Sequence, residues 1–228
     1  MCLYKMPLRN KSLSDIAVKA NSDMMYAGVV TGNNPGAVWA DDITNPTFCL
    51  VWSEYLKAFH FMGSCYAHIN KDEFQKFIES TIISFLKKRN IGYFEFACDN
   101  EEWIAIICEM LSNYELKQSK QFVYKQPHKN NINTSMPCTV GYAVFEINES
   151  FISNRFSVFE NYEETIADIE RAWGELAKFL EFGKGFIAAQ NNRICSFAYT
   201  SFLFENTYSI GVETYETHKK KGLSSFLS

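Results

Sequence analysis

Residues Thr207–Ser228 read TYSIGVETYETHKKKGLSSFLS, and the rest of the chain takes its meaning from this stretch. Tyr208, Ile210 and Val212 alternate with smaller or polar residues, the period of a strand. A polar turn follows, then Lys219-Lys220-Lys221-Gly222-Leu223-Ser224, a basic glycine loop that opens a helix. First-turn amides of a helix have no internal partner and attract anions. Gly222 lets a diphosphate come close to the backbone, and the lysines add charge. Alone, the hexapeptide reads more readily as a solvated basic turn. Its context decides.

Working back along the chain, the stretch closes a run of three strands, Gly185–Gln190, Ile194–Phe204 and Thr207–Thr214, with Asn191-Asn192 and Glu205-Asn206 as tight turns. A helix is expected before them over Asn161–Phe182. Ile166, Ile169, Trp173, Leu176 and Leu180 form its apolar stripe, Asn161 and Glu164 its N-x-x-E start, and Gly183 its end. Gly174 sits inside that span at a cost of roughly 1 kcal/mol against Ala. Thr139–Ile147 reads as a further strand.

The first half has a similar order. A helix over Ser12–Val30 precedes three short strand-like runs, Ala37–Ala40, Phe48–Trp52 and Ala58–Met62, which read as an antiparallel meander. Asn70–Lys88 is a helix capped by Asn70, with Phe74, Phe77, Ile78, Ile82 and Phe85 on one face. Ile91–Ala97 is expected as a strand, Asn100–Leu111 as a helix and Glu115–Gln126 as another strand. Pro127–Pro137 is polar and rich in Asn, and it is the best linker candidate. The expected division is an N-terminal α/β unit over 1–128 and a second unit over 137–228.

Composition sets the remaining bounds. The 228 residues carry a formal charge of −4, with 47% apolar and 21% charged residues. That balance is globular and lacks the basic footprint of a nucleic-acid binder. Seven cysteines, Cys2, Cys49, Cys65, Cys98, Cys108, Cys138 and Cys195, stand singly with no C-x-x-C pair. Reduced thiols in a cytoplasmic protein are expected, with no disulfide frame and no metal site. No apolar run reaches the length of a membrane span. His60 reads as a core or face residue, and Asp41-Asp42 as a turn.

A strand, a helix, a three-strand meander and then a basic x-x-G-x-small loop opening a helix resemble the GNAT superfamily of acetyl-CoA-dependent N-acetyltransferases. The wording Trp173…Phe179-Leu-Glu-Phe-Gly-Lys-Gly-Phe186, Ile210-Gly-Val-Glu-Thr214 and Lys-Lys-Lys-Gly-Leu-Ser224 is similar to the two-part GNAT branch that includes the zwittermicin-resistance acetyltransferase. In the first half, Gly36-Ala-Val-Trp-Ala-Asp-Asp42 resembles that branch's N-terminal region. The resemblance implies an α+β fold: a GNAT-like mixed sheet flanked by helices, preceded by a half that is GNAT-like itself.

It also implies acetyl-CoA as co-substrate and a small-molecule amine as acceptor, by direct attack on the thioester. The diphosphate is expected on Lys219, Lys220, Lys221, Gly222, Leu223 and Ser224. The pantetheine arm is expected along Val212 and Thr214, and Glu213 is the candidate base. Lys219 stands where the motif has Arg or Gln, and Ser224 where it has Gly or Ala. GNAT folds continue after this loop with a helix, a splayed strand and another helix. The expectation is therefore a cleft short of one wall at Ser228, a missing tyrosine acid and an open sheet edge available for self-association. The function classes left open are an N-acetyltransferase, a non-catalytic GNAT fragment with a binding role, and a phosphate or nucleotide binder.

Overall fold

The computed structural model describes residues 3–20, 22–64, 70–124, 141–153 and 159–228. In the first half, β1 (Tyr4–Met6), β2 (Gly36–Ala40), β3 (Phe48–Ser53), β4 (Ala58–Gly63) and β5 (Phe96–Cys98) form a sheet in that spatial order. The first four strands are antiparallel, while β5 lies parallel to β4. Every residue of β3 and β4 is buried, because both faces of the sheet are covered. Phe48, Leu50, Trp52, Phe59 and Phe61 face one way, toward Phe74 of α3 (Lys71–Phe77) and Trp103 of α5 (Glu101–Met110). Cys49, Val51 and Met62 face the other way, toward Leu13 and Ile16 of α1 (Lys11–Ala20) and Val30 of α2 (Met24–Val30).

The helix expected over Ser12–Val30 is therefore two. Asp23 caps α2 by accepting from the Met25 amide at 2.9 Å, a capping role that Asp favours over helix interiors. Asn70 caps α3 through the Glu73 amide, as its spacing predicts, and the helix runs on through a π segment, Ile78–Ile82, into α4 (Ile83–Lys87). Two strand expectations fail. The strand over Ile91–Ala97 shrinks to Phe96–Cys98, and residues 115–124 form no strand, with Phe122 and Tyr124 exposed. The linker segment 127–137 lies outside the described residues.

The second half is built on β6 (Ala143–Glu146), β7 (Gly185–Gln190), β8 (Arg193–Phe204) and β9 (Thr207–Thr214), an antiparallel sheet in that order. After α6 (Glu149–Ser153), the expected long helix divides into α7 (Tyr162–Trp173) and α8 (Leu176–Phe182). Gly174 makes the break with φ 78°, a backbone region that costs glycine nothing. Ile169, Trp173 and Phe179 pack on Ile187, Phe197 and Tyr199. Asn161 does not cap α7 with its side chain. Its amide bridges both ways to Ile194 of β8, at 3.0 and 2.9 Å, and pins the helix start to the sheet. On the opposite face, α9 (Leu223–Leu227) seats Leu223 and Leu227 on Ala188 and Ala198.

The halves repeat one order, a strand, two or three helices, a three-strand meander and a helix, and they are joined through a buried polar contact. Asn34, 1% exposed, donates from Nδ2 to the carbonyls of Ala172 and Ser201 and accepts from the Leu203 amide. Asn33 donates to the Leu203 carbonyl at 2.9 Å. Gly28 of α2 makes the approach possible, since a Cβ there would lie 2.9 Å from the Leu203 oxygen. Side chains also cross. Phe204 packs on the first half's α1–α2 core, and Tyr55, in the β3–β4 turn, packs on the second half's core. The Tyr55 and Tyr199 hydroxyls both reach Asp168 Oδ2, at 3.2 and 2.6 Å.

Replacing Asn34 leaves two carbonyls and an amide buried without partners. Asn34→Ala is expected to lower stability by about 2–4 kcal/mol, at roughly 1–3 kcal/mol per orphaned group with partial relaxation. Urea unfolding followed by tryptophan fluorescence checks this, and an unchanged midpoint refutes the joint's role.

Candidate functional site

Strand β9 is the edge of its sheet among the described residues, and its register on β8 determines which backbone groups face outward. The Tyr215 amide bonds the Cys195 carbonyl at 3.0 Å, and Ser196 stands opposite Thr214. Antiparallel pairs alternate between bonded and non-bonded. Gly211 and Glu213 therefore direct their N–H and C=O groups inward to β8, and Ile210, Val212 and Thr214 direct theirs to the free edge. Strand alternation sends the side chains apart as well. Val212 pairs with Ala198, on the α9 face, and Glu213 pairs with Phe197, on the α7 face. Ile210 and Val212 are 49% and 42% exposed.

Beyond Thr214 the chain makes a 3-10 turn, Glu216–His218, and then the basic loop. Lys220 and Gly222 both have positive φ, 63° and 77°. Gly222 sits in the left-handed region at the start of α9, and a Cβ there would meet nothing within 4 Å. The glycine is needed for its backbone conformation, and the space in front of it is open. Hydroxyls tie the loop to the strand: Thr214 Oγ1 lies 2.8 Å from Ser224 Oγ and 2.7 Å from Ser196 Oγ. Ser196 Oγ also donates to the Glu213 carbonyl at 2.8 Å.

The lysines are not equivalent. Lys219 pairs with Glu216. Lys221 Nζ donates to the Tyr142 hydroxyl at 3.1 Å, and that hydroxyl lies 2.8 Å from His218 Nδ1. Partial burial, with Lys221 and Arg193 nearby, holds His218 below the ordinary histidine pKa. Local spacing does not connect Tyr142 with this loop, because it lies about eighty residues upstream of it.

Val212, Thr214, Lys219, Lys220, Lys221, Gly222, Leu223 and Ser224 thus form one continuous surface, except that Leu223 is buried under the loop as its hydrophobic anchor. Glu213 is exposed on the other face, where it adds to the negative surroundings that, after burial, raise the Tyr215 pKa. Among the described residues no cluster of His, Cys, Asp and Glu is arranged to hold a metal, and no helix is long and apolar enough to cross a membrane. His60, 3% exposed, bonds Asp99 at 2.7 Å inside the first half. Asp41 and Asp42 make the expected turn, accepting from Thr47, Thr44 and Asn45 amides.

A family model described as GNAT acetyltransferase matches residues 15–228. Among solved structures, a GCN5-related N-acetyltransferase-like protein from Streptococcus suis is similar in fold, with 15% identity and a TM-score of 0.55 over 95% of this chain and 80% of that one. A tandem GNAT protein from the clavulanic acid biosynthesis pathway aligns at 9% identity and a TM-score of 0.48, over 99% of this chain and 83% of that one. No curated protein matches the chain.

His218 is expected to titrate below the ordinary histidine range in a proton-NMR pH series. Lys221→Gln removes a positive neighbour and should move the midpoint upward, and an unmoved midpoint would show that the lysine does not face the ring.

Proposed function

This chain belongs to the GNAT acetyltransferase family, and from that premise we propose that it moves an acetyl group from acetyl-CoA to a small-molecule amine by direct attack. The observation that carries the reading is the pairing of an open strand edge with a basic glycine loop at its end. Ile210, Val212 and Thr214 offer N–H and C=O groups along β9. Lys219–Ser224 offer first-turn amides, positive charge and open space beside Gly222. A ligand with an amide-bearing arm and a diphosphate fits that sequence of groups. Acetyl-CoA supplies the thioester whose acetyl group the amine takes.

The chain's own residues bind, orient and accept a proton. Backbone groups of Val212 and Thr214 hold the arm, and the loop from Lys219 to Ser224 holds the diphosphate. Lys220 and Lys221 contribute as point charges, without the fork that an arginine would bring. The ammonium of the acceptor loses one proton before attack, and its nitrogen then bonds the acetyl carbon as the carbon–sulfur bond breaks. The second nitrogen proton leaves as the thiolate becomes a thiol. Glu213 is the proposed base, acting from the α7 face through solvent. Alignment of the two reactants carries most of the rate. The free thiols of Cys49, Cys108 and Cys195 are consistent with a reducing, cytoplasmic setting.

Acetyl-CoA is expected to bind with saturable heat in calorimetry, and to shift the amide signals of Val212, Thr214 and Gly222. Replacing Lys219, Lys220 and Lys221 together by Gln should weaken that binding about 10- to 100-fold, the scale of one or two charge-assisted hydrogen bonds. Absence of binding to the unmodified chain overturns the proposal. Equal affinity for ATP would favour plain phosphate binding.

A further inference from the structure

We infer that the acceptor amine is held in the cavity of about 460 Å³ between the two halves, where the α1–α2 corner of the first half meets the β8–β9 turn of the second. The inference rests on the reading of β9 as the cofactor's track. From Thr214 back to Tyr208 the strand covers about 20 Å at ~3.3–3.4 Å per residue. An arm anchored at the basic loop and laid along the free edge advances toward Thr207. Near that end the first half adjoins the strand, since α2 packs against β8 and lies beside β9. The cavity lies there, with Thr207 itself in its wall.

Its lining suits a compact cationic amine. Val18, Met24 and Phe204 give it apolar walls, and Asp23 and Glu205 give it negative charge. Ser22 adds an oriented oxygen. Its hydroxyl proton is committed to Asp99 Oδ2 at 2.6 Å, so its lone pairs are left as acceptors for an ammonium. Asp99 is held in place in turn by His60 and by the Gly63 amide, at 2.7 Å each. Asp23 accepts from the Met25 amide through Oδ1 and lines the cavity.

A larger cavity, about 660 Å³, lies beside β6 and α6. It is the roomier of the two but stands at the opposite edge of the sheet from β9, with β7 and β8 between. Strand spacing of ~4.8 Å puts that edge roughly 14 Å from the proposed track. Location on the track decides for the smaller cavity.

The experiment uses coenzyme A with a nitroxide attached to its thiol through a thioether, observed by amide NMR of the full chain. Ser22, Asp23 and Thr207 amides are expected to broaden at saturation. Saturable binding that instead broadens Glu146 and Phe159 overturns the inference and leaves the cofactor site intact. No binding at all overturns the proposed function itself.

A second arm compares cationic amino-TEMPO with neutral hydroxy-TEMPO. The cation should broaden the same amides at concentrations about two- to five-fold lower, the scale of an exposed ion pair. Asp23→Asn with Glu205→Gln should erase that preference, and Asn still caps α2. Equal broadening by both probes refutes the cationic class.

Discussion

Asn34 is the constraint on which the arrangement of the two halves depends. Its one side chain satisfies two carbonyls and one amide of the second half from a fully buried position. Apolar contact is tolerant of sliding, and Phe204 could slip against its core by a fraction of an ångström at little cost. Hydrogen bonds are directional, and in a low-dielectric interior each lost one leaves an unpaired group. Asn34 therefore sets the angle at which α2 meets β8, with Gly28 removing the atom that would hold them apart. The position of the α1–α2 corner relative to β9 follows from that angle.

The same topology has opposite consequences in the two halves. In the first, the outer edge of β4 is sealed by β5. The Phe59 amide bonds Glu95, the Phe61 carbonyl accepts from Asp99, and the Gly63 amide reaches the Asp99 carboxylate. Among the described residues the edge of β4 itself is thereby closed to an extended ligand. In the second, β9 keeps its outward groups free and continues into the basic loop. Among the described residues, the second half is where an open edge meets positive charge at its end, which is why the proposed binding site is placed there. The first half becomes a wall. His60 belongs to that seal: among the described residues its Nδ1 is the one buried side-chain polar atom without a partner.

Much of this was legible from local pattern. The three strands of each half and the helix cap at Asn70 follow from alternation and from Asn–x–x–Glu spacing. So does the basic glycine loop that opens α9, whose components are all local. What escaped the sequence is what depends on distant partners. Asn33-Asn34 reads as turn residues before Pro35, and nothing local shows that their side chains clasp β8. Asn161 reads as a helix cap, yet a buried strand amide and carbonyl compete for it and win. Glu115–Gln126 has strand-forming composition, but a strand needs a neighbour, and residues 115–124 have none in the sheet. Tyr142 joins the loop through a contact across the sheet face that no spacing encodes.

Strand parity places one further limit on the chemistry. On β9, a residue whose backbone faces the free edge sends its side chain to the α9 face, and a residue bonded inward sends its side chain to the α7 face. Val212 and Thr214 are of the first kind and Glu213 of the second. No single residue of this strand can offer both an edge amide and a side chain on the α7 face. Any proton that Glu213 takes must travel around the edge, through water or the substrate itself, since a strand cannot turn one side chain over without shifting its whole register. On the proposed reading, a base held at that remove helps little, and alignment along the free edge and the basic loop carries most of the work. Backbone geometry, set by the pairing of β8 with β9, then matters more to the proposed reaction than any catalytic side chain.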